Sequence, residues 1–331
     1  MPQLVEALLA RYVHKGGRVL DPFAGSGTTL VQALESGHSA TGVDVAAFNA
    51  LLMRVKTARY NLFTLERELR DACGRLERGD VDGSVQHSAY VQRWFAARAS
   101  ADLLGFRSLI ADYEHADVLR VVLARAARSA RRTTHFDLDF PRAPQRSPYW
   151  CHKHKRECRP VERADHFLRR YALDTVARVK AFARVRAPGR AAAVLHGDAR
   201  ELDLGGPYDA VLTSPPYPGL IDYHEQHRYA YELLGLERLE SQELGRGSTK
   251  RAIEDYVEGV ARVLERSAER LRHDGRVLVV VNDRRDLYPA ILERAGLELE
   301  HRLRRHVNRR TGRRAGEYFE DVLAARKLSH N

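Results

Sequence analysis

The chain has 331 residues, 44% hydrophobic and 30% charged, with three cysteines. That composition excludes disordered and collagen-like classes, and so few cysteines, odd in number, argue against a disulfide framework. No apolar run approaches the ~18 residues that cross a bilayer. The opening MPQLVEALLARYV lacks the layout of a secretion signal, so a reducing cytoplasm is the expected location.

The net charge is +11, which suggests a polyanionic partner only if the charge is concentrated. It is concentrated. Residues 57–190 hold 27 Lys/Arg against 16 Asp/Glu, while the remaining residues are balanced at 28 of each sign. Within 120–190 the imbalance steepens to 19 against 6.

In chain order, Arg18 to Asp21 reads as a short strand and Pro22 to Gly27 as a tight turn. Leu30, Ala33 and Leu34 at helical spacing follow, stopped by Gly37, and Ser39 to Asp44 reads as a second strand. Strand, glycine-rich turn, helix and acid-tipped strand form a unit that grips nucleotide-like cofactors. Helical stretches then dominate over 64–78, 90–129 and 162–185, with an irregular, proline-bearing stretch from Arg131 to Pro160. Strand-like runs return at 192–196, 209–214, 276–282, 297–306 and 318–325, and helices are expected over 223–234 and 251–272. The expected architecture is a doubly wound, mostly parallel α/β domain of residues 1–56 and 191–331. A mainly helical basic insertion, 57–190, interrupts it.

Two strings carry chemistry. In Asp21-Pro22-Phe23-Ala24-Gly25-Ser26-Gly27-Thr28-Thr29, the glycines let the backbone turn and approach a ligand. Asp21 can accept from a ligand amino group, and Asp44 sits where ribose hydroxyls are held. No Lys-Ser/Thr follows the glycines, so this is not a phosphate-binding P-loop. In Thr213-Ser214-Pro215-Pro216-Tyr217, two prolines after an apolar strand take the chain rigidly out of the sheet. A hydroxyl and a fixed carbonyl can there accept the two protons of an aromatic amine, and Tyr217 can stack on a flat ring. Read alone, Pro-Pro-Tyr is equally an ordinary loop.

Together the strings resemble the amino-group DNA methyltransferases, the N4-cytosine and N6-adenine enzymes, over the α/β portions of the chain. The resemblance implies a Rossmann-like class I sheet and S-adenosyl-L-methionine as cofactor. It assigns Asp21, Pro22, Phe23, Ala24, Gly25, Ser26 and Gly27 to the methionine end, Asp44 to the ribose and Asp198 to the adenine. Ser214, Pro215, Pro216 and Tyr217 match the catalytic tetrapeptide, and Met1 to Val13 looks like the helix preceding the cofactor strand. Val45-Ala-Ala-Phe48 departs from the Asn-Pro that relatives often carry. Serine at the first catalytic position looks like the N4-cytosine version, although Ser-Pro-Pro occurs with either base. C5 chemistry would need an activated cysteine, and Cys73, Cys151 and Cys158 all fall in the insertion. Asp222-Tyr223 and Asn282-Asp283 are candidates for the pocket wall. The implied partner is DNA with its target base flipped out, and a cognate restriction endonuclease is a second implied partner.

The insertion is the expected target-recognition region. Arg128, Arg131, Arg132, Arg142, Arg146, Lys153, Lys155 and Arg156, with Tyr149 and Trp150 among them, suit phosphate and base contact. A second basic loop, Arg309, Arg310, Arg313 and Arg314, joins the last two strands. Cys151, His152, His154 and Cys158 invite a zinc reading. Their spacing matches no common finger, and adjacent Cys151 and His152 would struggle to ligate one ion, so no metal is assigned. Two rival readings stay open: an RNA guanine-N2 methyltransferase, and a nucleic-acid-binding protein on a decayed scaffold.

Overall fold

The computed structural model describes residues 2–82, 88–135, 143–219, 223–306 and 319–328. In chain order the elements are α1 (Pro2–Tyr12), β1 (Arg18–Asp21), α2 (Thr28–Glu35), β2 (Ser39–Asp44), α3 (Ala47–Thr57) and α4 (Leu62–Arg78). Next come α5 (Ala89–Trp94), α6 (Ala97–Leu109), α7 (Ala116–Ala130), β3 (Tyr149–Cys151), β4 (Arg156–Cys158) and α8 (Asp165–Val185). The rest are β5 (Ala192–His196), β6 (Tyr208–Thr213), α9 (Tyr223–Gln226), α10 (Arg228–Leu234), α11 (Lys250–Glu269), β7 (Leu271–Val281), α12 (Tyr288–Arg294), β8 (Leu297–His306) and β9 (Phe319–Lys327).

Two compact units result. The first comprises Met1–Thr57, Arg186–Asp222 and Leu239–Asn331. Its sheet runs β5-β2-β1-β6-β7-β9-β8, parallel except for β9, which is antiparallel to both neighbours. Alternation along β7 shows why helices cover both faces. Val277, Val279 and Val281 join one buried cluster with Tyr256, Val260 and Leu264 of α11 and Ile291 of α12. Leu278 and Val280 point the other way, into a cluster with Leu8 and Leu9 of α1, Leu30 of α2 and Met53 of α3. Full burial of each such side chain contributes about 1.5–3 kcal/mol. This is a doubly wound α/β fold. The chain first leaves the unit after Thr57 and returns to it at Arg186, whose Nη1 donates to the Thr57 carbonyl at 2.6 Å.

The second unit comprises Ala58–Val185 and Tyr223–Arg238. Placing 223–238 here corrects the expectation that this segment belongs to the α/β portion. Tyr229, Ala230 and Leu233 of α10 are buried, Arg107 donates to the Leu233 carbonyl at 3.1 Å, and the Arg131 guanidinium lies 4.8 Å from the Tyr229 ring centre.

The helix expected over 90–129 is three helices. Phe95 and Ala96 are extended, and α7 starts afresh because Glu68 of α4 supplies its entry. The Glu68 carboxylate accepts from the Glu114 and His115 backbone N–H groups at 3.3 and 3.0 Å and contacts His115 Nδ1 at 2.8 Å. The expected irregular stretch contains the hairpin β3–β4, turned through Lys155 at φ +54°. Among the described residues no helix is long and apolar enough to cross a membrane.

Candidate active site

β1 and β6 are neighbours, with Val19 opposite Ala210 and Leu20 opposite Val211. Asp21 and Thr213 therefore end adjacent strands at the carboxyl edge of the sheet, where strand order reverses and ligands of such sheets bind. One hydrogen bond ties the two strings: Thr213 Oγ1 donates to Asp21 Oδ1 at 2.6 Å, both side chains buried. Asp21 also accepts from the Phe23 N–H at 3.2 Å. Burial outweighs these bonds and pushes its carboxyl up to about 6.

The turn itself has two faces. Gly25 (φ +53°) and Gly27 (φ +81°) are both left-handed. A Cβ on Gly25 would meet nothing within 4 Å, whereas one on Gly27 would lie 2.8 Å from Met53 Cγ. Gly27 thus seats the turn on protein, and Gly25 opens it outward. Pro22 and Ala24 are buried, Phe23 is half-buried and Ser26 exposed. Lys56 Nζ donates to the Ser26 carbonyl at 2.7 Å.

Asp44 holds this turn. Its Oδ2 accepts from the Gly25 N–H at 2.8 Å, and its Oδ1 from Ala46 N–H at 2.8 Å and Asn49 Nδ2 at 3.1 Å. A carboxylate offers about four acceptor positions, so three bonds from described residues leave Oδ2 one for a ligand hydroxyl. Burial, aided by the nearby Asp21 charge, pushes Asp44 up to about 7 against those three hydrogen bonds. Asp198 follows β5 beside it, since β5 pairs with β2 and His196 faces Asp44. The Asp198 carboxylate takes a fork from Arg200, at 2.9 Å from Nε and 2.6 Å from Nη2. An adenine amino group would share this carboxylate with Arg200 rather than have it alone.

On the other string, the exposed Ser214 hydroxyl donates to the Val280 carbonyl of β7 at 2.9 Å. Its single proton is spent on protein, so the oxygen faces outward as an acceptor. Pro215 is buried, and Pro216 and Tyr217 are half-buried. The segment 239–249, passed over in the sequence, backs this loop. Gly219 N–H donates to the Gly245 carbonyl at 2.8 Å, and a Cβ on Gly245 would lie 3.6 Å from Pro218 Cα and 3.7 Å from Pro216 Cβ. Gly245 and Gly247, both at positive φ, were the available signal. Asn282 and Asp283 have structural duties. Asn282 Nδ2 donates to the Phe319 carbonyl, and Asp283 accepts from Leu287 N–H and Tyr288 N–H at 2.9 and 3.0 Å, entering α12. Tyr223 opens α9, and Asp222 lies outside the described residues.

In the second unit, Arg128, Arg146, Lys153, Lys155 and Arg156 are exposed and Arg132 is half-buried. Arg131 is a correction. It is 3% exposed, stacked on Tyr229, and cannot reach a phosphate without unpacking the unit. Arg142, Arg309, Arg310, Arg313 and Arg314 lie outside the described residues. The soft-ligand cluster also differs from the expectation. His135, Cys151, His154 and Cys158 each bring one ligand atom to within 4.8 Å of all the others. His135 takes the place expected of His152.

A family model described as DNA methylase matches residues 2–50. The type II methyltransferase M.MjaII of Methanocaldococcus jannaschii is 31% identical over a 411-position alignment covering 98% of this chain and 77% of that protein. The chain belongs to the amino-group DNA methyltransferases. The type II methyltransferase M.BsoBI of Geobacillus stearothermophilus is 23% identical over 76% of this chain and 54% of its own length. Among solved structures, TrmN from Thermus thermophilus aligns with a TM-score of 0.39 and 15% identity, over 99% of this chain and 49% of that one.

The cofactor of this methyltransferase is S-adenosyl-L-methionine, and the residues present fit it. Gly25 provides a face that any Cβ would fill, and Asp44 keeps one acceptor position at its rim. Asp44 ionises at about 7 rather than at its ordinary 3.8. If Asp44 takes the ribose hydroxyls, as the family resemblance implies, cofactor affinity is expected to weaken as pH falls from about 8 to about 6, because that carboxylate is lost. In Asp44→Asn, titration calorimetry should find weaker binding, with the pH dependence that remains set by Asp21, pushed up to about 6. The folding contribution has the opposite sense. A carboxyl raised in the folded state stabilises it below the unfolded value of 3.8, and that contribution is lost as pH rises through about 7.

Proposed function

We propose that this enzyme methylates the N4 amine of cytosine within a specific DNA sequence, using Ser214 and the Pro215 carbonyl as paired acceptors. The observation that carries the reading is the Ser214 hydroxyl, its proton committed to Val280, beside a turn shaped for the cofactor. An exocyclic base amine is a poor nucleophile because its lone pair is delocalised into the ring. Two acceptors, Ser214 Oγ and the Pro215 carbonyl, would draw both N–H bonds to one side and favour a tetrahedral nitrogen. The lone pair is then free to point away from them. S-adenosyl-L-methionine supplies an electrophilic methyl group on a sulfonium. With the cofactor bound, its methyl would pass from sulfur to the amine nitrogen, and the amine would give up one proton to solvent on the Ser214 side. Positioning of this kind supplies about 7–11 kcal/mol in favourable cases. Tyr217 stacks on the base, which leaves the duplex to reach the loop.

By the same reading Asp21 and the segment Pro22 to Gly27 hold the methionine end, Asp44 the ribose, and Asp198, with Arg200, the adenine edge. The helical unit is the target reader, with Arg128, Arg146, Lys153, Lys155 and Arg156 exposed for phosphates. Both matched relatives are named type II methyltransferases, which supports a restriction–modification pairing with a cognate endonuclease. Removing one phosphate-binding cation lowers the slope of log affinity against log salt by about 0.9. Replacing Lys153, Lys155 and Arg156 by alanine should therefore reduce that slope by up to about 2.7, measured by fluorescence anisotropy on duplex DNA.

The reading is tested by expressing the chain in a host free of DNA methylation and mapping modified bases across its genome. N4-methylcytosine at one sequence is the expected result. N6-methyladenine would overturn the choice of base, and an unmodified genome alongside methylated RNA would overturn DNA as substrate.

A further inference from the structure

We propose that the second unit holds a structural zinc ion between His135, Cys151, His154 and Cys158. Two thiols and two imidazoles are a donor set that zinc takes in closed, four-coordinate sites. Zinc bonds of about 2.3 Å to sulfur and about 2.0–2.1 Å to nitrogen give tetrahedron edges of about 3.3–3.8 Å. All four ligand atoms here lie within 4.8 Å of one another, and His154 Nδ1 is 3.3 Å from Cys158 Sγ. The set closes only through His135, sixteen residues before Cys151. Cys151 and His152, the awkward neighbours, need not share the ion.

The surroundings suit a bound thiolate. The His154 backbone N–H points at Cys151 Sγ at 3.4 Å, and a hydrogen bond of this type is strengthened when the acceptor is charged. Cys151 is 1% exposed, so one ligand is rooted inside the unit while His154 sits at the surface. The local chain conformation serves the same end. Lys155 N–H donates to the Cys151 carbonyl at 2.8 Å and Lys155 adopts φ +54°, so the chain reverses between the second and fourth ligands.

The hairpin also needs a staple. β3 and β4 have three residues each and form a separate two-stranded sheet. A ribbon that short is marginal in water. A metal bound with release of the two thiol protons couples its binding energy to the fold of such a segment. It would tie the chain just after α7, at His135, to both ends of the hairpin. The hairpin carries Trp150, 58% exposed, with Lys153, Lys155 and Arg156 exposed around it. The ion would thereby fix an aromatic and three cations in one arrangement. That last consequence rests on the DNA-contact reading of this unit, whereas the metal site does not.

The test is elemental analysis of the full-length protein, purified without chelators or a metal-affinity tag from zinc-supplemented culture. About one zinc per chain is expected. The variants Cys158→Ser and His135→Ala should each lose it. Both should still bind S-adenosyl-L-methionine, which shows that the cofactor-binding unit is folded, and should keep the wild-type helix content by circular dichroism, which reports on the helical unit. Exchange with cobalt(II) should give the visible bands of a tetrahedral site together with thiolate charge-transfer absorption. A wild-type protein free of metal, full zinc retained in both variants, or a Cys151–Cys158 disulfide would each overturn the proposal. Duplex affinity separates the two readings. Zinc present but duplex affinity unchanged on its removal would leave the metal site standing and remove its link to DNA contact.

Discussion

Ser214→Ala is expected to lower the single-turnover rate of methyl transfer by about 10²–10³-fold, the scale seen when one preorganised hydrogen-bond partner of a transition state is removed. Affinity for S-adenosyl-L-methionine should change by less than about twofold, because on the proposed assignment Ser214 faces the base and not the cofactor turn. The structural cost is separable. Losing the bond to Val280 leaves a carbonyl without that donor, worth about 1 kcal/mol in net stability. Val280 remains paired in the sheet with Val322, so the fold should survive. Ser214→Asp restores an acceptor and should recover part of the rate. Equal loss of rate and cofactor affinity in Ser214→Ala would contradict the assignment. Rapid-quench kinetics and calorimetry on the same preparations distinguish the outcomes.

Gly25→Val should weaken cofactor binding by about 100-fold or more, a difference of about 3 kcal/mol, while the cofactor-free protein stays folded. A side chain there has open space before it and nothing within 4 Å, and on the proposed assignment that space is where the cofactor lies. The backbone penalty for a branched residue at φ +53° is about 1–2 kcal/mol, which thermal unfolding should register as a few degrees. Gly27→Val reverses the balance. Its Cβ would be driven into Met53, 2.8 Å away, so stability should suffer first and cofactor binding through it. Neighbouring glycines of one turn are thus expected to fail in different assays. If both variants lost stability and affinity in the same proportion, the outward face assigned to Gly25 would be wrong.

The chemistry-bearing strings were legible because each combines a strand end with residues whose backbone behaviour is strongly constrained. Asp21 to Gly27 and Thr213 to Tyr217 announce turns, and the parallel sheet places them side by side. The strands themselves were readable from short apolar runs such as Val277 to Val281. What the sequence hid were effects supplied from a distance. The breaks between α5, α6 and α7 carry no glycine or proline of their own; the start of α7 is set by Glu68, more than forty residues upstream. Arg131 looked like one more cation in a basic run, yet Tyr229, from the far side of the chain, buries it. Asp283 resembled a pocket acid and instead caps α12. His135 could not be grouped with Cys151 by spacing alone, since loop length between ligands is unconstrained once the fold brings them together.

The Arg186–Thr57 bond that closes the neck of the inserted unit bears on how the chain reaches its native state. β2 must find β5 across some 150 residues, with Ala40 opposite Ala192. Such distant pairing is slow when the intervening chain is loose. The inserted helices pack on one another within the segment, α8 against both α4 and α7, and can order before the sheet closes. Once they have, the two ends to be joined are already near each other, and the search is that of a short loop. Closure entropy also grows only by about 0.6 kcal/mol for each doubling of loop length. An insertion of different size could therefore be spliced at Thr57 and Arg186 provided that it kept a seat for α10, whose Tyr229, Ala230 and Leu233 are buried in that unit.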